Sequence, residues 1–340
     1  MFETLGTPVL AAIFCASALA IVLGGTRMSG LADRLADRTG IGEAVAGAVL
    51  LGIATSLSGT VASVSAAAGG HASLAVSNAV GGIAAQSLFL VIADLTYRKA
   101  NLEHAAADAN NLIQAALLVV MLSLPLAAFF APPFSLLGVH PVSIVLIAVY
   151  LFFLRQTMRV SEAPMWRPAR TEHTRIDLPE TEAPGSASTA VLVMRFAALM
   201  GFVGVAGWSI AGSGVVLAGR IGMSETVLGA LFIATITSMP ELVTTLAAVR
   251  RGALQLAVGG IIGGNSFDVL FLSLSDVAYR EGSIYHAMEG RDALLIVAGI
   301  AITGTLLLGL LMRDRKGVGF EGLSIIVLYA LTVGIQIALG

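Results

Sequence analysis

The chain has 340 residues, of which 57% are hydrophobic and only 12% are charged, and its formal net charge is −2. Soluble domains typically carry about 25% charged residues, and no soluble core could bury this much apolar surface. The composition therefore excludes an ordinary soluble protein and predicts an all-α membrane protein that crosses the bilayer several times. We expect no nucleic-acid partner, and the single cysteine, Cys15, excludes an intrachain disulfide.

Ten stretches of the chain are long and apolar enough to span a bilayer, which requires about 20 residues. The first is expected to be a membrane helix and not a cleaved signal peptide, because no basic residues precede it. The predicted helices lie at roughly 8–25, 42–67, 73–96, 110–131, 135–154, 190–218, 224–249, 254–278, 291–312 and 320–339.

Residues 155–189, between the fifth and sixth segments, are polar and rich in Arg, Glu, Pro and Ser. They have little to bury and are expected to form a linker without a fold of its own. The predicted organisation is a first membrane repeat at 1–154, this linker, and a second membrane repeat at 190–340.

The distribution of Lys and Arg predicts the orientation in the membrane. With the N-terminus outside, sixteen of the 19 basic residues fall on the inner side, and only Arg220, Arg280 and Arg291 fall outside. Positive charge accumulates in cytoplasmic loops. The sequence therefore predicts that both termini lie outside and that the linker lies in the cytoplasm. The expected location is a bacterial inner membrane.

The chain contains an internal repeat at a constant offset of 182 residues, without a gap from about residue 40 to 98. Five segments separate equivalent positions, so the two copies cross the bilayer in opposite directions. This arrangement is an inverted repeat, which many secondary transporters use for alternating access. The matches include Thr55-Ser56 with Thr237-Ser238, Gly81-Gly82 with Gly263-Gly264, and Asp94 with Asp276.

Two equivalent segments carry interruptions that lipid would not tolerate. Pro240 and Glu241 lie in the middle of the seventh segment, and residues 56–59 (Ser-Leu-Ser-Gly) interrupt the second. A membrane-embedded carboxylate beside a proline usually marks an ion pathway. We therefore expect helices 2 and 7 to be broken, with free carbonyls and helix dipoles that can coordinate cations. The two glycine pairs are expected to serve mainly helix packing.

These motifs resemble those of the sodium/calcium exchanger family, within the cation/calcium exchanger superfamily. Its members carry a Gly-Thr-Ser-Leu-Pro-Glu-like and a Gly-Ser-Asn-Ile-Phe-Asn/Asp-like motif in each repeat. Here the second repeat has Thr237-Ser-Met-Pro-Glu241 and Gly263-Gly-Asn-Ser-Phe-Asp268. The resemblance implies an antiporter, not an enzyme, that works in the lipid bilayer without a cofactor. The transported cations would be Ca²⁺, Na⁺ or H⁺.

The resemblance also implies a cation site at the middle of the membrane. Its carboxylates would be Glu241 and Asp268. The other expected ligands are hydroxyl, amide and carbonyl groups of Thr237, Ser238, Thr55, Ser56, Gln86 and Asn265.

The first repeat is degenerate. Ser58-Gly59 replaces the family's Pro-Glu, and Gln86 stands where Asn or Asp is usual, while Gly82 and Gly264 replace serines. Calcium takes 6–8 oxygen ligands and favours several carboxylates. The loss of one glutamate should lower calcium affinity or change the ion or the stoichiometry. We hypothesise that Gly59→Glu would strengthen calcium binding.

Other interpretations stay open at this point. The protein could exchange a monovalent cation or protons, form a passive channel on the same scaffold, or bind an ion without transporting it. An intramembrane enzyme is disfavoured, because the sequence has no His-Glu-x-x-His motif.

The remaining polar residues are expected to have structural roles. Asp94 with Arg98 and Asp276 with Arg280 have the i, i+4 spacing of local ion pairs. Glu43 and Glu225 lie near helix starts, where an acid favours the helix dipole. The five histidines are expected to be solvated.

Overall fold

The computed structural model describes residues 1–39, 46–97, 101–162, 188–312 and 319–339. Within these residues all regular secondary structure is helical, apart from one isolated bridge between Leu136 and Val139. The α-helices are α1 (Thr7–Thr39), α2 (Ala46–Ala68), α3 (Ala72–Tyr97), α4 (Leu102–Ala105), α5 (Ala109–Phe130), α6 (Pro141–Glu162), α7 (Thr189–Ile221), α8 (Glu225–Val227), α9 (Ala234–Thr237), α10 (Met239–Arg251), α11 (Leu254–Asp268), α12 (Leu270–Ala278), α13 (Ile284–Ala287), α14 (Gly290–Leu311) and α15 (Phe320–Leu339).

Seven described helices are long and apolar enough to cross a membrane, or eight if one bent pair is counted as a single span. The expectation of an all-helical membrane protein is therefore confirmed. Helices α2 and α6 coincide with the second and fifth predicted segments, and α6 is apolar over Pro141–Thr157. The total of ten spans stays a prediction. Helix α6 continues past residue 155 to Glu162, and residues 163–187 of the predicted linker lie outside the described residues.

The seventh predicted segment is broken, as expected. Its first half, Glu225–Thr237, includes a π-helical turn at Leu228–Ile233, and it meets α10 at an angle of 43°. Ser238 separates the two halves, and Pro240 lies in the first turn of α10. Proline has no N–H to donate to the preceding turn, and its ring clashes with the carbonyl four residues earlier. The bend therefore follows from the position of Pro240.

The second segment is not broken, so this part of the prediction is wrong. Helix α2 runs without interruption from Ala46 to Ala68, through Ser56 and Gly59. Ser58 stands where the other repeat has Pro240, and it keeps the N–H that a helix needs. A glycine inside a helix weakens it by only about 1 kcal/mol relative to alanine, which the surrounding packing overcomes.

Helix α3 forms the centre of the bundle. Nearly all of its residues are buried, and it packs against α2, α11, α14 and the first half of the broken helix. A Cβ on Gly81 would lie 2.5 Å from the Cα of Ala230, so this close packing requires glycine. By contrast, most residues of α1, α7 and α15 are not buried, and their exposed apolar side chains face the space that lipid would fill. The buried polar residues therefore concentrate around α3.

The internal repeat is visible in two equivalent hydrogen bonds, one near the end of α3 and one near the end of α12. Asp94 Oδ1 accepts from the N–H of Leu102 at 3.0 Å, and Asp276 Oδ1 accepts from the N–H of Ile284 at 2.9 Å. Each aspartate thus bonds the first residue of a short helix, where backbone donors have no partner inside the helix.

The predictions of local ion pairs and of solvated histidines are partly wrong. Asp276 does not pair with Arg280, because its second oxygen accepts from the N–H of His140 and the hydroxyl of Ser143, both at 2.7 Å. His140 is buried, and His71 Nδ1 lies 2.6 Å from Glu225 Oε1. Glu225 does lie in the first turn of α8. Arg98 and Glu43 lie outside the described residues.

Candidate cation site

The site is built where α2, α3, α10 and α11 meet. Gln86 of α3 donates from Nε2 to Oδ2 of Asp268, the last residue of α11, at 2.6 Å. These two residues are equivalent in the internal repeat, since they are 182 positions apart. Both are buried. The two repeats therefore contact each other through the same position of each copy.

A pair of equivalent serines surrounds this contact. Ser56 of α2 donates to Oδ1 of Asp268 at 2.7 Å, and Ser238, at the bend, accepts from Nε2 of Gln86 at 3.2 Å. The Ser56–Asp268 bond and the Ser238–Gln86 bond join equivalent positions of the two repeats. The arrangement of these four side chains is therefore two-fold in pattern, although one half contains an acid and the other an amide.

Glu241 supplies the second carboxylate of the site. It lies in the first turn of α10 and is 5% exposed. Thr55 and Ser56 of α2 lie beside it, and it interacts electrostatically with Asp268. In the described part of the chain, neither carboxylate forms an ion pair with Lys, Arg or His. Two negative groups without a positive side chain favour the binding of a cation.

Three oxygen atoms near the site are buried without a hydrogen-bond partner. They are Oε2 of Glu241, Oε1 of Gln86 and Oδ1 of Asn265. Buried oxygens are rarely left unpartnered, because each loses its hydrogen bonds to water. Carboxylate and amide oxygens are ligands that Ca²⁺ and other hard cations accept. These oxygens are therefore free to accept a bond from a cation or a donor.

The glycines of the second motif leave room beside these groups. A Cβ on Gly82 would lie 3.4 Å from Ser238 Oγ and 3.6 Å from Asp268 Oδ2, and one on Gly264 would lie 3.4 Å from Gln86 Oε1. Both glycines thus border the site, beyond the packing role that we expected. A Cβ on Gly263 would lie 3.1 Å from Gln114 Oε1, away from these atoms.

The position of the missing glutamate is filled by an aromatic ring. A Cβ on Gly59 would lie 2.9 Å from Cε2 of Phe271, the second residue of α12, and 3.5 Å from Thr237 Oγ1. Phe271 is buried and contacts Phe267 edge to face, with ring centroids 6.2 Å apart. The site therefore has an aromatic ring and no acid on the side where the other repeat carries Glu241.

Two functional candidates were missed by the sequence reasoning. Asn78 of α3 donates to the carbonyl of Gly59 at 3.1 Å and accepts from Thr237 Oγ1 at 3.5 Å. Ser58 donates to the carbonyl of Thr237 at 3.4 Å. These bonds satisfy the backbone and hydroxyl groups next to the bend. An asparagine in an apolar segment is the signal that could have identified Asn78.

The site thus offers two carboxylates and several neutral oxygens as possible cation ligands. The described residues contain no group of three or more His, Cys, Asp or Glu able to hold a metal ion. Of the expected set, Ser56, Gln86, Ser238 and Asp268 are connected by hydrogen bonds, and Glu241 lies near Thr55, Ser56 and Asp268. Thr237 Oγ1 bonds Asn78 and the carbonyl of Ala234 instead.

Comparison with protein families gives a match over most of the chain. The family model described as "Sodium/calcium exchanger protein" matches residues 9–157 and 189–338. A curated relative is the Inner membrane protein YrbG of Escherichia coli, which is 31% identical over 147 residues, or 43% of each chain. The sodium/calcium exchanger MaX1 of Methanosarcina acetivorans is 42% identical over 60 residues, or 17% of each chain. The sequence matches therefore span less than half the length of these relatives.

Solved structures match over nearly the whole chain. The H⁺/Ca²⁺ exchanger CAX has a TM-score of 0.68 at 14% identity and covers 97% of this chain and 86% of its own. The sodium-calcium exchanger NCX_Mj has a TM-score of 0.62 at 19% identity and covers 97% of this chain and 99% of its own. At such low identity these similarities show a shared fold.

Proposed function

The chain belongs to the sodium/calcium exchanger protein family, and we propose that it is a secondary active cation antiporter. One observation carries the proposal. Glu241 and Asp268 are two buried carboxylates without a basic partner in the described residues. Glu241 lies at the bend of a membrane helix, and Asp268 at the end of α11 is hydrogen-bonded to Gln86, whose Oε1 has no partner. A membrane-embedded acid of this kind normally marks an ion pathway.

Transport would proceed by alternating access, with ten transmembrane helices forming two inverted five-helix repeats. Gln86 and Asp268 are equivalent residues and contact each other, which supports a pseudo-two-fold axis between the repeats that passes through the site. In transporters of this design the substrate lies at the repeat interface near the middle of the bilayer. Rocking of one repeat against the other would expose the same carboxylates to each side in turn.

The orientation follows from the charge bias of the loops. We propose that both termini lie outside and that the 155–189 linker lies in the cytoplasm. The relative YrbG is named an inner membrane protein, which supports a bacterial inner membrane as the location.

Calcium is the first candidate ion, since both carboxylates together could neutralise one divalent cation. A second candidate is a monovalent cation, or a cation exchanged for protons. It is favoured by the ring of Phe271, which occupies the space beside Gly59 and leaves this side of the site without an acid.

The experiment is flux in proteoliposomes that contain the purified protein. Uptake of radioactive Ca²⁺ is measured with outward gradients of Na⁺, K⁺ or H⁺, imposed one at a time. An antiporter should take up Ca²⁺ only with its own counter-ion gradient, and Glu241→Gln should abolish this uptake. The control is Glu3→Gln, which changes an exposed acid near the N-terminus.

Other outcomes separate the alternatives. Flux that persists without any counter-ion gradient would indicate a channel. Binding of Ca²⁺ without flux would indicate an ion-binding relative. Full activity of Glu241→Gln would contradict the assignment of the site.

A further inference from the structure

A groove on the outer surface of the bundle lies between α1 and α7 and has a volume of about 500 Å³. Its lining includes three arginines, Arg27 and Arg34 of α1 and Arg195 of α7. The rest of its lining is apolar and consists of Gly30, Leu31, Ala198 and Leu199. A groove lined by both basic and apolar side chains fits a molecule that is anionic at one end and apolar at the other.

The three arginines are free to bind such a molecule. All three are exposed. Nowhere in the described part of the chain does any of them form a hydrogen bond or an ion pair with another side chain. Arginine binds phosphate through two parallel N–H donors, which makes it well suited to phosphate recognition. Among the described side chains no acid pairs with these three arginines, so they are available to an anionic partner or to solvent.

We expect the groove to lie near the lipid headgroups, because its arginines are placed toward helix ends on the side with most of the positive charge. Arg195 lies six residues after Thr189, the first residue of α7, which corresponds to about 9 Å along the helix. Arg27 and Arg34 lie in the C-terminal half of α1. Long basic side chains near helix ends extend toward the interface. The C-terminal end of α1 and the N-terminal end of α7 are expected on the side of the membrane that carries most of the positive charge.

The apolar surface continues from the groove toward the middle of the membrane. Leu23, one turn before Arg27, is 47% exposed, and Phe202, one turn after Ala198, is 53% exposed. Phe202 packs against Gly24, so the two helices form a continuous apolar track there. An acyl chain below a headgroup would follow this track.

We propose that the groove between α1 and α7 binds an anionic phospholipid, with the phosphate at Arg27, Arg34 and Arg195 and an acyl chain along Leu23 and Phe202. Basic pockets between transmembrane helices on the cytoplasmic side are suited to anionic headgroups. The proposal does not depend on which ion the protein exchanges.

The groove is connected to the candidate cation site by direct packing. A Cβ on Gly25 of α1 would lie 2.5 Å from Cγ of Pro240, and one on Gly207 of α7 would lie 2.6 Å from the carbonyl oxygen of Ser58. The two helices that line the groove therefore contact both segments that carry the site. A lipid that bridges α1 and α7 would stabilise this packing, and exchange should depend on anionic lipid.

Binding is tested on the full chain, purified in detergent and stripped of lipid. Phosphatidylglycerol and phosphatidylcholine are titrated separately, and bound lipid is measured by native mass spectrometry. We expect a clear preference for phosphatidylglycerol. Each basic residue near a membrane surface strengthens the binding of anionic lipid about fivefold. The triple variant Arg27→Gln/Arg34→Gln/Arg195→Gln should therefore bind it roughly a hundredfold more weakly.

A matched control removes the same charge elsewhere. Arg155→Gln/Arg250→Gln/Arg251→Gln changes three exposed arginines outside the groove and should keep the preference. The variant Gly30→Leu keeps every charge and fills the groove, because nothing lies within 4 Å of a Cβ at Gly30. It should also lose binding, and it decides the question if the triple variant does not fold.

Three results would overturn the proposal. They are equal binding of the two lipids by the wild type, an equal loss of binding in the control variant, and full binding by Gly30→Leu. Inorganic phosphate is titrated as a separate probe in competition with phosphatidylglycerol. If phosphate at the concentration of the lipid displaces it completely, the groove is an anion site without a requirement for lipid.

Discussion

Gln86 and Asp268 occupy equivalent positions in the two repeats, and they are hydrogen-bonded to each other at 2.6 Å. A residue can contact its own equivalent only close to the axis that relates the two copies. The two-fold design of the chain therefore converges on the pair that combines one amide with one carboxylate. The difference between these two side chains, and between Gly59 and Glu241, determines how much negative charge the site holds.

The first prediction concerns the amide of this pair. Gln86→Glu keeps the shape of the side chain and adds a third carboxylate beside Asp268. Without a cation the two acids repel each other across a contact of 2.6 Å, so the thermal stability in a chelator should fall. Calcium should restore it, and apparent Ca²⁺ affinity should rise by about tenfold, the equivalent of 1.4 kcal/mol. Thermal unfolding in detergent with increasing Ca²⁺ measures both effects.

The control for this substitution is Gln336→Glu, a buried amide of α15 that donates to the carbonyl of Arg291 and lies outside the site. It should lower stability without a gain in Ca²⁺ affinity. If both variants respond to Ca²⁺ alike, the ion does not bind at Gln86.

The second prediction revises the idea that Gly59→Glu alone restores a calcium site. The ring of Phe271 lies 2.9 Å from the position of the new Cβ, and overpacking of this kind costs about 1–3 kcal/mol. Gly59→Glu should therefore lower the melting temperature and leave Ca²⁺ affinity unimproved. The double variant Gly59→Glu/Phe271→Ala provides the space and should bind Ca²⁺ more tightly than Phe271→Ala alone. Calorimetric titration of Ca²⁺ into the three variants distinguishes these cases, and tighter binding by the single variant would contradict the blocking role of Phe271.

The third prediction compares two neighbouring glycines of α3. A Cβ on Gly81 would lie 2.5 Å from the backbone of Ala230, which cannot move without the helix. Gly81→Ala should therefore destabilise the protein by about 1–3 kcal/mol. A Cβ on Gly82 meets only side-chain atoms, the nearest at 3.4 Å, so Gly82→Ala should fold normally and alter ion affinity instead. Melting temperature and Ca²⁺ affinity of the two variants are the measurements. Equal destabilisation would show that both glycines serve packing alone.

The fourth prediction concerns the effect of pH on stability. Glu103 of α4, between two membrane spans, is 1% exposed, and its Oε2 has no hydrogen-bond partner. Burial, and then the nearby charges of Asp94 and Glu321, raise the pKa of Glu103 from 4.5 to about 8. Between these two values the folded state holds a proton that the unfolded state releases. The free energy of unfolding should therefore decrease as the pH rises from about 4.5 to about 8.

The substitution Glu103→Gln removes this dependence, because an amide does not titrate. Its melting temperature should decrease less than that of the wild type between pH 5 and pH 8, about the span over which the two states differ in protonation. Glu3→Gln serves as the control and should follow the wild type. If the curves of Glu103→Gln and wild type are parallel, Glu103 does not carry the effect.

Much of the architecture could be predicted from the sequence, because lipid imposes simple rules on it. A spanning helix needs a fixed length of apolar residues, and the structure has a helix at each predicted segment. The break at Pro240 was predictable because proline removes a backbone donor whatever surrounds it. The break in α2 was predicted only by analogy between the repeats, and it failed because serine and glycine leave the backbone donors in place.

The contents of the site were less predictable. The carboxylates and hydroxyls could be named from the motifs, since the chemistry of a cation site requires oxygen. Phe271 and Asn78 could not, because their importance depends on which helix faces Gly59 and Thr237 after packing. The groove between α1 and α7 likewise combines residues about 160 positions apart in the chain, as helix-on-helix packing typically does.

The sequence by itself determined a helical membrane protein with an internal repeat and an acid beside a proline, because composition, periodicity and motif are local properties. The tertiary structure alone decided that Gln86 faces Asp268, that an aromatic ring fills the place of the missing glutamate, and that three arginines share one groove. These relationships depend on contacts between distant segments, and only the packing of the helices brings such segments together.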